Sequence, residues 1–426
     1  MRELGWAGTL RFVRSASVIF GLVLASTAQA DTLPWVDAHD VPLPGGVTSV
    51  QITRRDEPMW LRPHPGAPRR GSAADGAHLP LYGAARGPGC RGRWLNVGPL
   101  AWVCEDVVRL SLKPALPPRA RALRTADGLP FRYYFAGREG SLGYTSLRNA
   151  EQVAPDAELQ PGFAVALVQV AERVPRDAFG LTTHDLWVPM RDLVPARPLA
   201  FHGEELDGEL NVAWVFEKSA DVYAEPGKRR LSKEAHAEFA ALKVFETVER
   251  GKRRWFRVGP DRWVNDRQVR FPTQLPMPGE VGKNERWIDV DIENQVLVAY
   301  EGERPVFATL VSTGKGKGKS TFATPKGNHR IWVKLVSGDM DNLEDEEASR
   351  YYAIQDVPWV MYFKKGYGLH GTFWHRSFGE VRSHGCVNLT PLDAERLFGW
   401  TSPRVPAGWT AALPTRYEPG PPIRVR

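Results

Sequence analysis

The residues with the clearest capacity for chemistry lie in one short stretch towards the end of the chain. Cys386 follows His384 by two residues, and His370 precedes Cys386 by sixteen, far enough to return on a neighbouring strand. A cysteine is a strong nucleophile only as a thiolate, so it needs an imidazole or a dipole close by. The spacing predicts nucleophilic catalysis by Cys386, with a histidine as base and a further polar group that orients this histidine.

A longer pattern surrounds these three residues. It consists of two segments separated by a variable loop, His370-Gly371 and Ser383-His384-Gly385-Cys386-Val387-Asn388. This pattern resembles the signature of the L,D-transpeptidases that carry the YkuD-type catalytic domain. The upstream segments Ser312-Thr313-Gly314 and Thr324-Pro325-Lys326-Gly327 also resemble that family. Asn388 stands where many members have Arg, which leaves the chemistry intact and the subclass open.

The resemblance implies roles for the residues closest to the reaction. Cys386 attacks a carbonyl group and forms a thioester. His370 is the general base, and the backbone carbonyl of Gly371 orients it. His384 lies beside the thiolate and supports it or the substrate.

Other residues are expected to support the reaction. Gly385 permits the turn before the helix, where backbone N–H groups can hold a developing oxyanion. Tyr352 is a further candidate donor to the oxyanion. Ser383 and Asn388 are predicted to brace the turn by hydrogen bonds.

Three charged or titratable side chains near this stretch have weaker assignments. Arg376 and Arg382 are candidates for binding a carboxylate of a stem peptide. No function is predicted for His375.

The resemblance covers residues 285–402 and implies a β-rich catalytic domain that transfers acyl groups on peptidoglycan stem peptides. Such an enzyme cleaves the bond between the L-centre of residue three and D-Ala at position four. It passes the acyl group to an amine, either of a second stem peptide or of a protein. No metal and no organic cofactor is implied, and no nucleic-acid partner is predicted. A carboxypeptidase or wall hydrolase that uses water, and a non-catalytic wall-binding scaffold, remain alternatives.

The first thirty residues resemble a secretory signal peptide. Arg2, Arg11 and Arg14 precede the apolar run 16–25, and Ala28-Gln29-Ala30 ends in small residues typical of a cleavage site. Cleavage after Ala30 and a periplasmic or wall-associated location are therefore expected, with a retained anchor as the alternative. The net charge of the mature chain becomes +5, from +7 − 3 + 1, which does not discriminate between partners.

The region before the catalytic domain contains an internal repeat, which predicts several small all-β units. Trp94-Leu95-Asn96-Val97-Gly98-Pro99 recurs as Trp255-Phe256-Arg257-Val258-Gly259-Pro260, at an offset of 161 residues. The units resemble bacterial SH3-like (SH3b) domains, which bind peptidoglycan or act as spacers. The predicted organisation is signal peptide 1–30, linker 31–56, SH3-like units 57–111, 130–197 and 218–273, catalytic domain 285–402 and tail 403–426. The fold class is thus mainly β, with small SH3-like barrels before a catalytic domain of few helices.

Two cysteines of the first unit are predicted to form a disulfide. Cys90 and Cys104 flank one hairpin, and the repeat has Gly251 and Asn265 in their places, so both thiols are absent together. An exported protein can hold such a bond, which would stabilise the unit by roughly 2–3 kcal/mol. This pairing leaves Cys386 as the free thiol.

Local patterns predict several elements of the catalytic domain. Three strands are expected at 288–292, 295–300 and 306–311, and a hairpin at 359–371 that brings His370 to a strand end. A helix should begin at Thr390 as N-cap and end at Gly399. Residues 338–347 are predicted to form an exposed acidic loop, and the lysine-rich run 315–319 a solvated hairpin loop.

Overall fold

A computed structural model describes residues 41–115, 126–173, 177–316, 322–343 and 351–426. The predicted signal peptide lies outside the described residues. So do the first ten residues of the predicted linker, most of the lysine-rich run and the last four residues of the predicted acidic loop. The prediction of that loop is wrong at its start, because a strand continues through residues 338–341. Within the described ranges, no helix is long and apolar enough to cross a membrane.

The first unit, here called module A, has eight strands. They are β1 (Ser49–Ile52), β2 (Glu57–Trp60), β3 (Arg69–Ala73), β4 (His78–Pro80), β5 (Gly83–Ala85), β6 (Trp94–Gly98), β7 (Ala101–Cys104) and β8 (Val108–Ser111). A short 3₁₀ helix, Glu105–Val107, precedes β8. One sheet has the strand order β4-β1-β8, and the other follows β3-β2-β7-β6-β5.

The predicted linker is wrong at its end, because β1 lies within it. Val50 and Ile52 on this strand are fully buried in the core of module A. The strand pairs with β4 and β8, so it completes the three-stranded sheet. The predicted disulfide is present: Cys90 and Cys104 are bonded, with their Cα atoms 5.6 Å apart.

The second unit, module B, has seven strands and a one-turn helix. They are β9 (Arg132–Ala136), β10 (Ser141–Gly143), α1 (Leu147–Glu151), β11 (Ala157–Leu159), β12 (Ala164–Arg173), β13 (Asp177–Thr182), β14 (Trp187–Pro189) and β15 (Leu193–Pro195). Its first strand pairs with its last and with β12, while β12 continues to β13 and β13 to β14. One long strand, β12, therefore makes pairings equivalent to those of both β4 and β5 in module A.

The third unit, module C, follows the short strand β16 (Glu204–Glu205). Its strands are β17 (Val212–Val215), β18 (Ser219–Tyr223), β19 (Arg230–Ala237), β20 (Ala241–Lys243), β21 (Glu246–Arg250), β22 (Arg253–Gly259), β23 (Arg262–Asn265) and β24 (Val269–Arg270). Their orders are β20-β17-β24 and β19-β18-β23-β22-β21, which repeat the two sheets of module A strand for strand. The sequence repeat is thus a repeat of topology. Among the described residues, these pairings do not close either module into a barrel.

The catalytic region contains ten strands and the second helix. They are β25 (Arg286–Asp291), β26 (Val296–Glu301), β27 (Arg304–Leu310), β28 (Gly327–Arg330), β29 (Val333–Asp341), β30 (Ala353–Lys364), β31 (Tyr367–Gly371), β32 (Val387–Leu389), α2 (Pro391–Trp400), β33 (Trp409–Ala412) and β34 (Pro422–Val425). The three strands predicted first, and the hairpin of β30 and β31, are confirmed. Apolar side chains of the six-stranded sheet β16-β27-β26-β25-β34-β28, of β29–β32 and of α2 form one core.

The predicted tail is wrong, because residues 403–426 supply two internal strands. β34 pairs in parallel with β25 and antiparallel with β28. β33 lies between β29 of the catalytic region and β3 of module A. Trp409 on this strand is 1% exposed and belongs to the core of module A, so burial of this side chain holds the segment in place.

Helix α2 begins as predicted but continues to Trp400, through Gly399, which was predicted to end it after Phe398. Thr390 caps its first turn by accepting a hydrogen bond from the N–H of Asp393. At the other end, Thr401 donates from its hydroxyl to the carbonyl of Leu397. The ammonium of the fully buried Lys334 donates to the carbonyls of Phe398 and Thr401, at 2.5 and 2.7 Å. Since these groups satisfy the last carbonyls, the helix continues through Gly399.

Candidate active site

The proposed base lies on β31, and the nucleophile directly precedes the adjacent parallel strand β32. In the register of β31 and β32, His370 is paired with Asn388 and Leu369 with Val387. One step further back, Cys386 comes beside Gly368, whose backbone N–H faces the thiol. Asn388, the register partner of His370, follows Cys386 by two residues, which is the spacing of side chains on one face of a strand. The thiol is partly buried and donates to the carbonyl of Gly366 at 3.8 Å.

The turn that carries Cys386 is braced from within. Gly385 has φ +123°, a conformation that favours glycine. The hydroxyl of Ser383 donates to the carbonyl of Cys386 at 2.5 Å and accepts from the N–H of Gly385 at 3.1 Å. Ser383 therefore has the contacts expected of a brace. The N–H of Gly385, predicted as an oxyanion donor, is already bonded to Ser383.

Residues 312–314, which precede the lysine-rich run, support this turn from the outside. Ser312 and Asn388 exchange two backbone hydrogen bonds of 3.0 and 2.9 Å. The N–H of Ser383 donates to the carbonyl of Thr313. The N–H of Gly314 donates to the hydroxyl of Thr324 at 2.8 Å. Both upstream segments of the sequence pattern thus lie against the nucleophile's turn.

His370 is oriented by the carbonyl named in the prediction. Its Nδ1 lies 3.2 Å from the carbonyl oxygen of Gly371 and 3.4 Å from the hydroxyl of Thr372. A carbonyl only accepts, so Nδ1 carries the proton and Nε2 keeps a free lone pair. Burial lowers the pKa of His370 to about 4, so the imidazole is neutral at pH 7.

The thiol is also neutral in the resting site. Burial raises the pKa of Cys386, and only the N–H of Gly368 opposes this effect. Among the described residues, the thiol makes a hydrogen bond to the Gly366 carbonyl and none to an imidazole. The resting state is therefore a thiol beside a neutral imidazole, without the thiolate–imidazolium ion pair found at some cysteine nucleophiles.

Aromatic rings border the thiol on its open side. The ring of His384 stacks on Tyr352, with centroids 5.6 Å apart, and meets Phe322 edge-on at 4.9 Å. Tyr362 lies stacked beneath Trp332 at 6.0 Å. Phe322 and Trp332 are 44% and 47% exposed, so both offer apolar surface to solvent here.

Both tyrosines of this border lie close enough to Cys386 to feel its charge when it becomes a thiolate. Burial, and after it the charge of that thiolate, raises the pKa of Tyr352 and of Tyr362. Their phenols therefore stay protonated and remain able to donate hydrogen bonds near the sulfur. Tyr352 was predicted from its distance to His370. Tyr362 has no sequence signal of its own and is identified only by the pairing of β30 with β31.

A second, half-buried histidine reaches the site through Asn388. The side-chain amide of Asn388 lies 2.8 Å from Nε2 of His375, and the N–H of Ser377 donates to its Nδ1 at 3.1 Å. Burial, then Arg382 and His370, lowers the pKa of His375 to about 4. With Nδ1 accepting, Nε2 of the neutral ring carries the proton, so the amide oxygen of Asn388 must face it. Sequence analysis missed His375, because an isolated histidine in a loop has no periodic signal.

Arg376 does not join the other predicted site residues. Its guanidinium pairs with Glu238 of module C at 3.2 Å and lies 5.9 Å from the ring of Phe239. Its contact with a substrate carboxylate stays a prediction. Arg382 is exposed, and its backbone N–H donates to Thr313.

A comparison with protein families identifies the domain that contains this geometry. The profile of the L,D-transpeptidase catalytic domain, YkuD, matches residues 285–412. These residues are a YkuD-type L,D-transpeptidase catalytic domain. The match ends with β33, ten residues beyond the predicted boundary, in agreement with the pairing of that strand.

Solved L,D-transpeptidases are similar to this chain over limited lengths. The enzyme from Xylanimonas cellulosilytica is 19% identical over 36% of this chain and 65% of its own, with a TM-score of 0.24. The one from Stackebrandtia nassauensis is 25% identical over 34% and 58%, with a TM-score of 0.23. That from Mycobacterium smegmatis is 16% identical over 62% and 99%, with a TM-score of 0.25. The chain thus spans less than two thirds of the first two structures, and no curated protein sequence matches it.

Proposed function

We propose that the protein is a secreted cysteine transpeptidase that acts on peptidoglycan stem peptides. The observation that supports the proposal is the parallel register of β31 and β32, which aligns His370 with Asn388, two residues after Cys386, inside the L,D-transpeptidase domain. The predicted export is part of the proposal, since stem peptides lie outside the inner membrane. The acceptor is an amine of a second stem peptide or of a protein.

The first half-reaction transfers the acyl group to sulfur. When a donor stem peptide binds beside the aromatic rings, the proton of Cys386 passes to Nε2 of His370, and the sulfur attacks the carbonyl carbon of the peptide. The phenol of Tyr352 donates to the oxyanion that develops. The imidazolium of His370 then protonates the departing amine of D-Ala, the C–N bond breaks, and a thioester remains on Cys386.

The second half-reaction restores the enzyme. An acceptor amine attacks the thioester and gives its proton to His370. The C–S bond breaks, and the sulfur leaves as a thiolate that takes the proton back from the imidazolium. His384 and the exposed aromatic rings lie where an acceptor can pack. If water replaces the amine, the same thioester is hydrolysed and the enzyme is a carboxypeptidase.

Mass analysis of muropeptides tests the proposal and separates these two reactions. The mature chain is incubated with disaccharide tetrapeptides, and Cys386→Ser is the matched control. Dimers linked between the third residues of two stems support transfer, whereas shortened monomers alone would assign hydrolysis. Activity that persists in Cys386→Ser removes this residue from its role and refutes the mechanism.

Labelling with a carbapenem gives a second readout that needs no acceptor. A nucleophilic thiol in an oxyanion site opens the strained β-lactam and keeps it as a covalent adduct. Intact-mass spectrometry should show one adduct, on the peptide that contains Cys386. Cys90 and Cys104 should stay unmodified because they are bonded to each other. A folded wild-type protein without any adduct would favour a non-catalytic scaffold, whose wall binding is tested with the full chain carrying Cys386→Ser.

A further inference from the structure

We propose that modules B and C are positioning elements of the active site, which clamp the loop between the base and the nucleophile. This catalytic loop comprises residues 372–386, between β31 and β32. The inference rests on the proposed acyl transfer by Cys386. It gives the accessory modules a direct part in catalysis, in addition to any role as wall binders or spacers.

Module B holds the first part of the catalytic loop through stacked rings. Phe373 is 3% exposed, and its ring lies 4.2 Å from that of Tyr133 and 5.9 Å from that of Phe135. The next residue, Trp374, meets Phe373 edge-on and stacks on the imidazole of His370 at 5.7 Å. The contacts thus run without a gap from module B to the proposed base.

Module C holds the middle of the same loop by a hydrogen bond and a buried ring. The half-buried guanidinium of Arg270 donates from Nε to the carbonyl of Gly379 at 2.9 Å and lies 3.6 Å from the ring centre of Phe216. Gly379 has φ +90°, and a Cβ atom there would come within 2.6 Å of Phe216. Phe378 is 1% exposed in a core that includes Trp214 of module C.

This second set of contacts also ends at the site. The ring of Phe378 lies 5.5 Å from His375, which is hydrogen bonded to Asn388. Asn388 is the register partner of His370, two residues after Cys386. The two modules therefore act on one pair of neighbouring residues, through two separate points of one loop.

The geometry explains why such clamping matters. The catalytic loop makes its large apolar contacts, through Phe373 and Phe378, with modules as well as with its own domain. The thiol and His370 are not hydrogen bonded at rest, so proton transfer depends on how closely the loop holds them. A displacement of about 1 Å in such a pair lowers a rate by up to about a hundredfold.

The test compares two matched arginines. Arg270→Gln removes the bond to Gly379. Arg109→Gln is the control, because Arg109 occupies the equivalent position of module A, at the offset of 161, and is exposed on β8. We expect Arg270→Gln to lower the rate of carbapenem acylation and of transfer by about tenfold or more, with KM for the stem peptide changed less than kcat. Arg270→Lys, which can still donate to the carbonyl, should restore most of the rate.

The pH profile supplies a readout that a purely structural defect would not move. With a well-placed neutral base, the rate is flat at neutral pH. With a misplaced base, it rises with pH as the thiolate forms by itself. We expect the rising profile for Arg270→Gln and for Phe373→Leu, measured at a temperature where circular dichroism shows both to be folded.

The outcomes separate the two proposals. If the wild type itself forms no adduct, the proposed function fails. Suppose that the wild type reacts. If Arg270→Gln and Phe373→Leu then have the same rate and the same pH profile as the wild type and the control Arg109→Gln, the clamping role is overturned. Equal loss in Arg270→Lys and Arg270→Gln, without a changed profile, also overturns it.

Discussion

The pH dependence of acylation follows from the resting site, in which the Cys386 thiol and the His370 imidazole are both neutral. Because the pKa of His370 is about 4, the base is available over the whole neutral range. The rate should be constant from pH 6 to 8, halve near pH 4 and fall about elevenfold at pH 3. Removal of the base by His370→Ala leaves only spontaneous thiolate. Burial holds the pKa of the Cys386 thiol above the ordinary cysteine value of about 8.5, so less than about 3% is thiolate at pH 7, and the rate should fall at least about thirtyfold, or about 2 kcal/mol of barrier.

Stopped-flow measurement of carbapenem acylation checks these numbers. The wild type and His370→Ala are mixed with excess carbapenem at steps between pH 3 and pH 9, and near-UV circular dichroism confirms folding at each pH. The residual rate of His370→Ala should rise about tenfold per pH unit between 6 and 8, because its thiolate fraction does. A wild-type acid limb near pH 7, or a pH-independent rate in His370→Ala, would refute the neutral-pair mechanism.

Three further changes are predicted. Lys334 is less basic in the fold, with a pKa of about 7 caused by burial, so protonation favours unfolding below pH 10.5. Urea unfolding should therefore give a difference in the free energy of unfolding, wild type minus Lys334→Met, that is about 2 kcal/mol larger at pH 9 than at pH 7. An equal difference at both pH values contradicts this. The pair Cys90→Ser and Cys104→Ser should lower the free energy of unfolding of module A by about 2–3 kcal/mol, with Cys386 acylated at the wild-type rate. His375→Ala should slow acylation about tenfold through Asn388, while His375→Gln, which keeps a polar partner, stays near wild type; equal rates in both would argue against a role for the bond.

The sequence predicted features that depend on local order along the chain. The alternation in β25 and the N-cap at Thr390 are local patterns, and both are confirmed. The Cys90–Cys104 bond could be predicted because the repeat lacks both residues together. The candidate residues around Cys386 could be proposed because they cluster within a short stretch of sequence.

Features that depend on pairing between distant segments could not be predicted. His375 and Tyr362 become site residues only through contacts that the strand register creates. Arg376 looked available for a substrate, yet its partner Glu238 lies in another module. The end of α2 was misplaced because Lys334, distant in sequence, satisfies its carbonyls.

Strand β33 has a consequence for how the chain matures. It comes near the end of the described chain, yet it fills the space between β3 and β29 and places Trp409 in the core of module A. During synthesis, the first module to emerge therefore keeps an unpaired strand edge and an open core until one of the last segments arrives. Such an edge is prone to pair with other chains. A ribosome-released truncation before residue 409 should thus aggregate through module A, even though the whole module has been made.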